Sequence, residues 1–122
     1  MNTILVVDDR PDTRYAITRV LAEAGFDVRE TATGRDALRL ARTSPDLIVL
    51  DTALTDMDGF EVCRRLKSDA ATRAIPVIQK TSVSRDSELR HQGLAAGADE
   101  YLVDPIEPAV LIETVRRFLP GR

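Results

Sequence analysis

Residues 47–59 read Leu-Ile-Val-Leu-Asp-Thr-Ala-Leu-Thr-Asp-Met-Asp-Gly. Four apolar residues without alternation mark a strand buried on both faces, as in a parallel sheet. The run ends in Asp51, and after a short loop Asp58 stands where it can cap a helix over 59–68 that buries Phe60, Cys63 and Leu66. Two other runs end the same way: 4–7 before Asp8 and Asp9, and 101–103 before Asp104. If these runs are neighbouring parallel strands, four carboxylates converge on one edge of a sheet, where open α/β sheets place their sites. Such a crowd repels itself unless a cation or a raised pKa relieves it.

Outward from this stretch, strand-length runs alternate with segments of helical period. Strands are expected over 3–7, 26–30, 47–50, 76–79 and 100–103. Helices are expected over 12–24, 34–43, 59–68, 84–96 and 107–119. The first puts Ala16, Ile17, Val20, Leu21 and Ala24 on one stripe and stops at Gly25. The second buries Ala37, Leu38 and Ala41 and closes at Ser44 and Pro45. The last carries Pro108 in its first turn and buries Leu111, Val115 and Phe118. Five βα units with right-handed crossovers make a doubly wound, three-layer α/β domain that fills the 122 residues.

The composition, 43% hydrophobic and 30% charged, is that of a folded globular chain. A net charge of −3, with scattered basic residues, gives no nucleic-acid footprint. No apolar run approaches the ~20 residues of a membrane span, and the N-terminus lacks the shape of a signal peptide. Cys63 is the one cysteine, which rules out an internal disulfide and fits a reducing cytoplasm. His91, the one histidine, falls in an expected helix and reads as a surface residue.

The turn after the first strand is Asp8-Asp9-Arg10-Pro11. A glycine-rich turn there would cradle a phosphate through backbone N–H groups. Two aspartates and no glycine disfavour a nucleotide or flavin phosphate and favour a hard cation such as Mg²⁺, which accepts one or two carboxylates and keeps several waters.

With these residues in place, the chain resembles the receiver domains of two-component response regulators, the flavodoxin-like group that includes the chemotaxis regulator. The resemblance runs over essentially the whole chain. Asp8 and Asp9 carry it, with Asp51 followed by Met57-Asp58-Gly59, Thr81 and Ser82, Gly97-Ala98-Asp99, and Tyr101 with Pro105. It implies a five-stranded parallel sheet in the order 2-1-3-4-5. It also implies that Asp51 accepts a phosphoryl group from a histidine kinase or phosphotransfer protein and later loses it autocatalytically, without turnover of a substrate. Asp9, Asp51 and the Ala53 backbone carbonyl would hold Mg²⁺, and Asp8 would act mainly through a metal-bound water. Thr81 would hydrogen-bond the phosphoryl oxygens, and Tyr101 would turn inward when Thr81 moves. Residues 84–119 would form the face that docks an effector domain or a second copy. Taken without the resemblance, Thr81 reads equally as a cap or turn residue and Tyr101 as core packing.

Two positions depart from the family pattern. Asp104 stands where the family has lysine before Pro105, reversing a charge that would otherwise pair with the acceptor carboxylate. Thr55 replaces a proline, a change expected to loosen the loop after Asp51. Lys80 and Arg10 are the nearest candidates to supply the missing cation, but alternation turns Lys80 to the opposite face from Thr81, and the expectation is that neither does. The leading function is a phosphoacceptor switch. The alternative is a pseudo-receiver, an interaction module of the same fold that phosphate does not switch. A small-molecule Mg²⁺-dependent phosphatase fits less well, since no second carboxylate follows two residues after Asp51 and no insertion could cap the site. No nucleotide-binding segment and no helix-turn-helix fit in the chain, so output requires a partner or a further domain.

Overall fold

A computed structural model describes residues 2–81 and 94–119. Its elements follow in the order β1 (Thr3–Val7), α1 (Pro11–Glu23), β2 (Asp27–Thr31), α2 (Gly34–Ala41), β3 (Leu47–Asp51), α3 (Gly59–Ser68), β4 (Val77–Thr81), β5 (Glu100–Val103) and α4 (Pro108–Phe118). The helix expected over 84–96, with His91, lies outside the described residues except at its end, where Leu94 and Ala95 are helical.

All neighbouring strands pair in parallel, in the order β2-β1-β3-β4-β5. The central strands β1 and β3 are buried almost throughout, as their unbroken apolar runs require, whereas edge strand β2 alternates with charge and is largely exposed. Side chains divide by parity between two cores. Leu5, Val7, Ile48, Leu50, Val77 and Tyr101 pack with α2 and α3. Ile4, Val6, Leu47, Val49 and Ile78 pack with Ile17 and Leu21 of α1 and Leu111 and Val115 of α4.

The helix ends carry the expected signals. The Asp58 side chain accepts from Phe60 N–H at the start of α3, and Thr33 does the same for Asp36 N–H at α2. Pro11 and Pro108 sit in the first turns of α1 and α4. Gly25, at φ +100°, ends the α1 region in a conformation that penalises any Cβ. Two readings shift. Ala16 is exposed rather than part of the buried stripe, because α1 turns Ile17 and Leu21 to the sheet. Strands β3 and β4 each run further than expected, to Asp51 and Thr81, so both residues are held by the sheet ladder.

Candidate functional site

The C-terminal edge of β1, β3, β4 and β5 gathers the charged residues. Parity explains which of them meet. Asp8 continues the row of Ile4 and Val6, Asp51 that of Leu47 and Val49, Lys80 that of Ile78, and Asp104 that of Leu102. All four therefore emerge on the α1–α4 side of the sheet. Register places Lys80 beside Asp51 on one flank and Leu102 on the other. Thr81 and Tyr101 have the opposite parity, and Tyr101 is buried in the α2–α3 core.

One carboxylate oxygen from each of Asp8, Asp9 and Asp51 lies within 4.8 Å of the others. Asp104 does not join this group. The expected cluster of four is thus a cluster of three, with Asp104 joined to it through Lys80. The Lys80 Nζ donates to Asp8 Oδ2 at 2.9 Å and ion-pairs with Asp104 Oδ2 at 3.1 Å. Its side chain and that of Asp8 are 0% exposed, against 19% for Asp104. The expectation that Lys80 points away from the site is corrected here. It does face away from Thr81, but the carboxylates lie on its side of the sheet. Arg10 contributes its backbone N–H, which donates to Asp8 Oδ1 at 2.9 Å, while its residue as a whole is exposed.

Asp8 is held on every side. Thr13 Oγ1 donates to its Oδ2 at 2.6 Å, and the Arg14 guanidinium donates to its backbone carbonyl at 2.8 Å. Burial alone would raise the Asp8 pKa, but the Thr13 hydroxyl, the Arg10 N–H and Lys80 outweigh it and hold the carboxyl below the ordinary range. Asp51, 4% exposed, behaves oppositely. Burial pushes it up, Lys80 draws it back, the Asp8 charge raises it again, and it settles at about 6. Among the described residues its backbone donor is distant, Ala53 N–H at 3.4 Å from Oδ1. Burial lowers Lys80, but Asp51, Asp8 and Asp104 together carry it above its usual value, so it is a permanent cation.

The loop after Asp51 is pinned. Both Asp56 carboxylate oxygens accept from the start of α2, Oδ1 from Gly34 N–H at 2.8 Å and Oδ2 from Arg35 N–H at 2.9 Å. Ala53 bridges Asp58, and Gly59 N–H donates to the Thr52 carbonyl at 2.9 Å. Gly59 is required by close approach: a Cβ there would collide with the Asp51 carbonyl oxygen and with Thr52 Cα. Thr13, Arg14 and Asp56 were not singled out from sequence. Thr13 had a usable signal, a hydroxyl one turn into a helix that follows an aspartate pair.

The pattern that defines the response regulator receiver domain matches residues 4–116. This chain belongs to that family. The receiver domain is 35% identical to protein PilH of Pseudomonas aeruginosa, over 99% of this chain and all of PilH. It is 38% identical to the DNA-binding transcriptional regulator RpaA of Synechocystis, where 98% of this chain spans 49% of the relative. A putative response regulator from Chloroflexus aurantiacus superposes with a TM-score of 0.92 at 33% identity, covering 97% of each chain. The receiver domain of a sensor histidine kinase from Pseudomonas aeruginosa, solved with a magnesium ion coordinated in its active site cleft, has a TM-score of 0.89 at 29% identity and covers 98% of each chain.

The donors present here fit such an ion. They are clustered carboxylate oxygens, the hard ligands that Mg²⁺ takes. Both Asp8 oxygens already accept hydrogen bonds from the protein, which leaves Asp9 and Asp51 as the carboxylates with more freedom to ligate. Among the described residues, no helix is long and apolar enough to cross a membrane.

Proposed function

We propose that the domain is a phosphoacceptor switch in a two-component pathway, with Asp51 as the acceptor. The observation that carries this reading is a buried carboxylate at the end of β3, beside two further carboxylates that can hold a hard cation. An Asp51 oxygen attacks the phosphorus of a phosphohistidine on a histidine kinase or phosphotransfer protein. The new P–O bond forms as the P–N bond breaks, and the imidazole leaves with the electron pair. Asp9, Asp51 and the Ala53 carbonyl are the residues that would hold Mg²⁺, with Asp8 acting through water; when bound, the ion supplies the positive charge that an anionic donor and an acidic site otherwise lack.

Asp51 stays anionic at neutral pH despite its raised value, so it is available as the nucleophile. The added phosphoryl brings roughly −1.5 to −2 charge and new acceptor oxygens. Thr81, at the end of the adjacent strand, is the hydroxyl that would answer them, and Tyr101 the aromatic whose packing would follow. The output face would lie within residues 84–119, and three of the exposed large apolar residues, Leu94, Val103 and Val110, support that assignment.

A pseudo-receiver remains the second reading, favoured by one observation. Lys80 already sits on Asp8 and gives the acidic edge a cation of its own. Intact-mass measurement after incubation with Mg²⁺ and a small phosphoryl donor separates the two. The switch requires one added phosphoryl group in the wild type and none in Asp51→Ala. A wild type that gains no mass refutes it.

A further inference from the structure

We propose that Lys80 and Asp104 work as one unit, in which Lys80 is the fixed counter-charge of the Asp8–Asp51 carboxylates and Asp104 is the resting partner that positions it. The second half of the inference, that a phosphoryl group on Asp51 takes the place of Asp104 at the ammonium, rests on the phosphoacceptor reading above.

A lysine with a wholly buried side chain in the last turn of a central strand is unfavourable unless its ammonium is paired. Here it is paired twice, and the two partners are unlike. Asp8 is immobilised, because the Arg10 N–H and the Thr13 hydroxyl hold it as well as Lys80. Asp104 is the looser partner. Its contact is an ion pair whose alignment falls short of a hydrogen bond, and its side chain is partly exposed at the start of the loop after β5. An ammonium held by one rigid and one yielding carboxylate keeps its place when charge is added nearby, yet can exchange the yielding one. Register supplies the third element, since Asp51 is the β3 residue paired with Lys80 and shares its face.

The negative residue at 104 is thus no isolated loss of a cation. A positive charge has moved one strand inward, from the end of β5 to β4, and Asp104 has become its holder. It follows that Asp104→Lys does not repair the site; it sets a second ammonium against Lys80. The family arrangement returns only when Asp104→Lys is joined to an uncharged residue at 80.

Two readouts test this, on Lys80→Met, Asp104→Asn, the apolar pair Lys80→Met/Asp104→Leu and the exchanged pair Lys80→Met/Asp104→Lys. The first is Mg²⁺ affinity by titration calorimetry, which needs no phosphorylation. Removing the ammonium should tighten binding roughly tenfold, and Asp104→Asn should weaken it several-fold, as expected for charges near the cation in a partly aqueous site. An unchanged dissociation constant in Lys80→Met overturns the counter-charge role. The second is the rate of phosphoryl uptake from a small donor. The apolar pair leaves Asp8 buried without its ammonium and should unfold more readily than the wild type, so its loading is read where circular dichroism shows it folded. There it should load at least about tenfold more slowly, and the exchanged pair should return to within about threefold of the wild type. If the apolar pair loads at the wild-type rate, Lys80 and Asp104 only hold the fold together and the proposal falls. If the exchanged pair stays as slow as the apolar pair, the transposition is wrong. A wild type that takes up no phosphoryl group removes the phosphoacceptor reading instead, and the calorimetric arm then decides the counter-charge role by itself.

Discussion

Asp51→Asn should make the metal-free domain more stable, and by an amount that depends on pH. The Asp51 carboxyl is 4% exposed, and burial together with the Asp8 charge outweighs Lys80 to put its pKa at about 6 in the folded chain, against 3.8 for an ordinary aspartate. Between those two values the folded state binds the proton more tightly than the unfolded state does. Stability from this group is therefore fully present below about pH 4, falls as pH rises towards 6, and is lost above it. A difference of about two pH units, at ~1.36 kcal/mol each, amounts to about 3 kcal/mol at pH 7.5. For a chain of this size that is roughly 10 °C in melting temperature. Urea unfolding followed by far-UV circular dichroism, in EDTA at steps from pH 4 to 8, gives the comparison directly. The gain of Asp51→Asn over wild type should be near zero at pH 4 and reach its plateau above pH 7. Saturating Mg²⁺ should narrow the gap, because an ion present at a hundred times its dissociation constant stabilises the wild type by about 2.7 kcal/mol and the variant has lost a ligand. A gain that is flat with pH, or one that shrinks as pH rises, would refute the reasoning, since either means that Asp51 is not a carboxylate held ionised against its environment.

Thr13→Ala removes the hydroxyl that donates to Asp8 and should cost about 1–2 kcal/mol in urea unfolding at pH 7. Because Asp8 is held below its ordinary range, its contribution is present above pH 4 and is lost as pH falls below that, so the cost should shrink steadily on acidification. Gly59→Ala forces a methyl group into the Asp51 carbonyl and Thr52, and a loss of more than about 2 kcal/mol in a thermal melt is expected, with weaker Mg²⁺ binding as the loop shifts. Cys63 is buried, with its thiol pushed up to about 11, so its labelling by a thiol reagent at pH 8 should track global unfolding; rapid labelling of the native domain would contradict the packing of α3.

Much of the fold is legible in the sequence because local and tertiary signals agree. The apolar runs of β1 and β3 can only be strands covered on both sides, and they are. Asp58, Gly25 and Pro108 bound their helices for reasons contained within a few residues. Ala16 is less legible, since α1 rests its buried stripe on Ile17 and Leu21 and an alanine one position away can fall on either side of that boundary. The far end of β4 is hidden for a different reason. Gln79, Lys80 and Thr81 are polar, and nothing local says that a glutamine and a lysine are wholly buried in a strand. That burial is decided by what lies across the sheet.

The site divides along the same line. Asp8, Asp9 and Asp51 can be read as a group because each ends an apolar run, and the structure brings their oxygens together. The role of Lys80 could not be read one strand at a time. Alternation correctly separates it from Thr81, but that comparison concerns the wrong neighbour, because the relevant carboxylates belong to β1, β3 and the end of β5. Once register pairs Lys80 with Asp51 and Leu102, the same alternation puts Asp8, Asp51, Lys80 and Asp104 on one face. The charge at position 104 then has a partner within 3.1 Å, and a reversed sign in the sequence becomes half of a charge pair in the structure. Charge balance at such a strand edge belongs to a row of residues running across strands, so a substitution in one strand can be judged only together with the residue that faces it from the next.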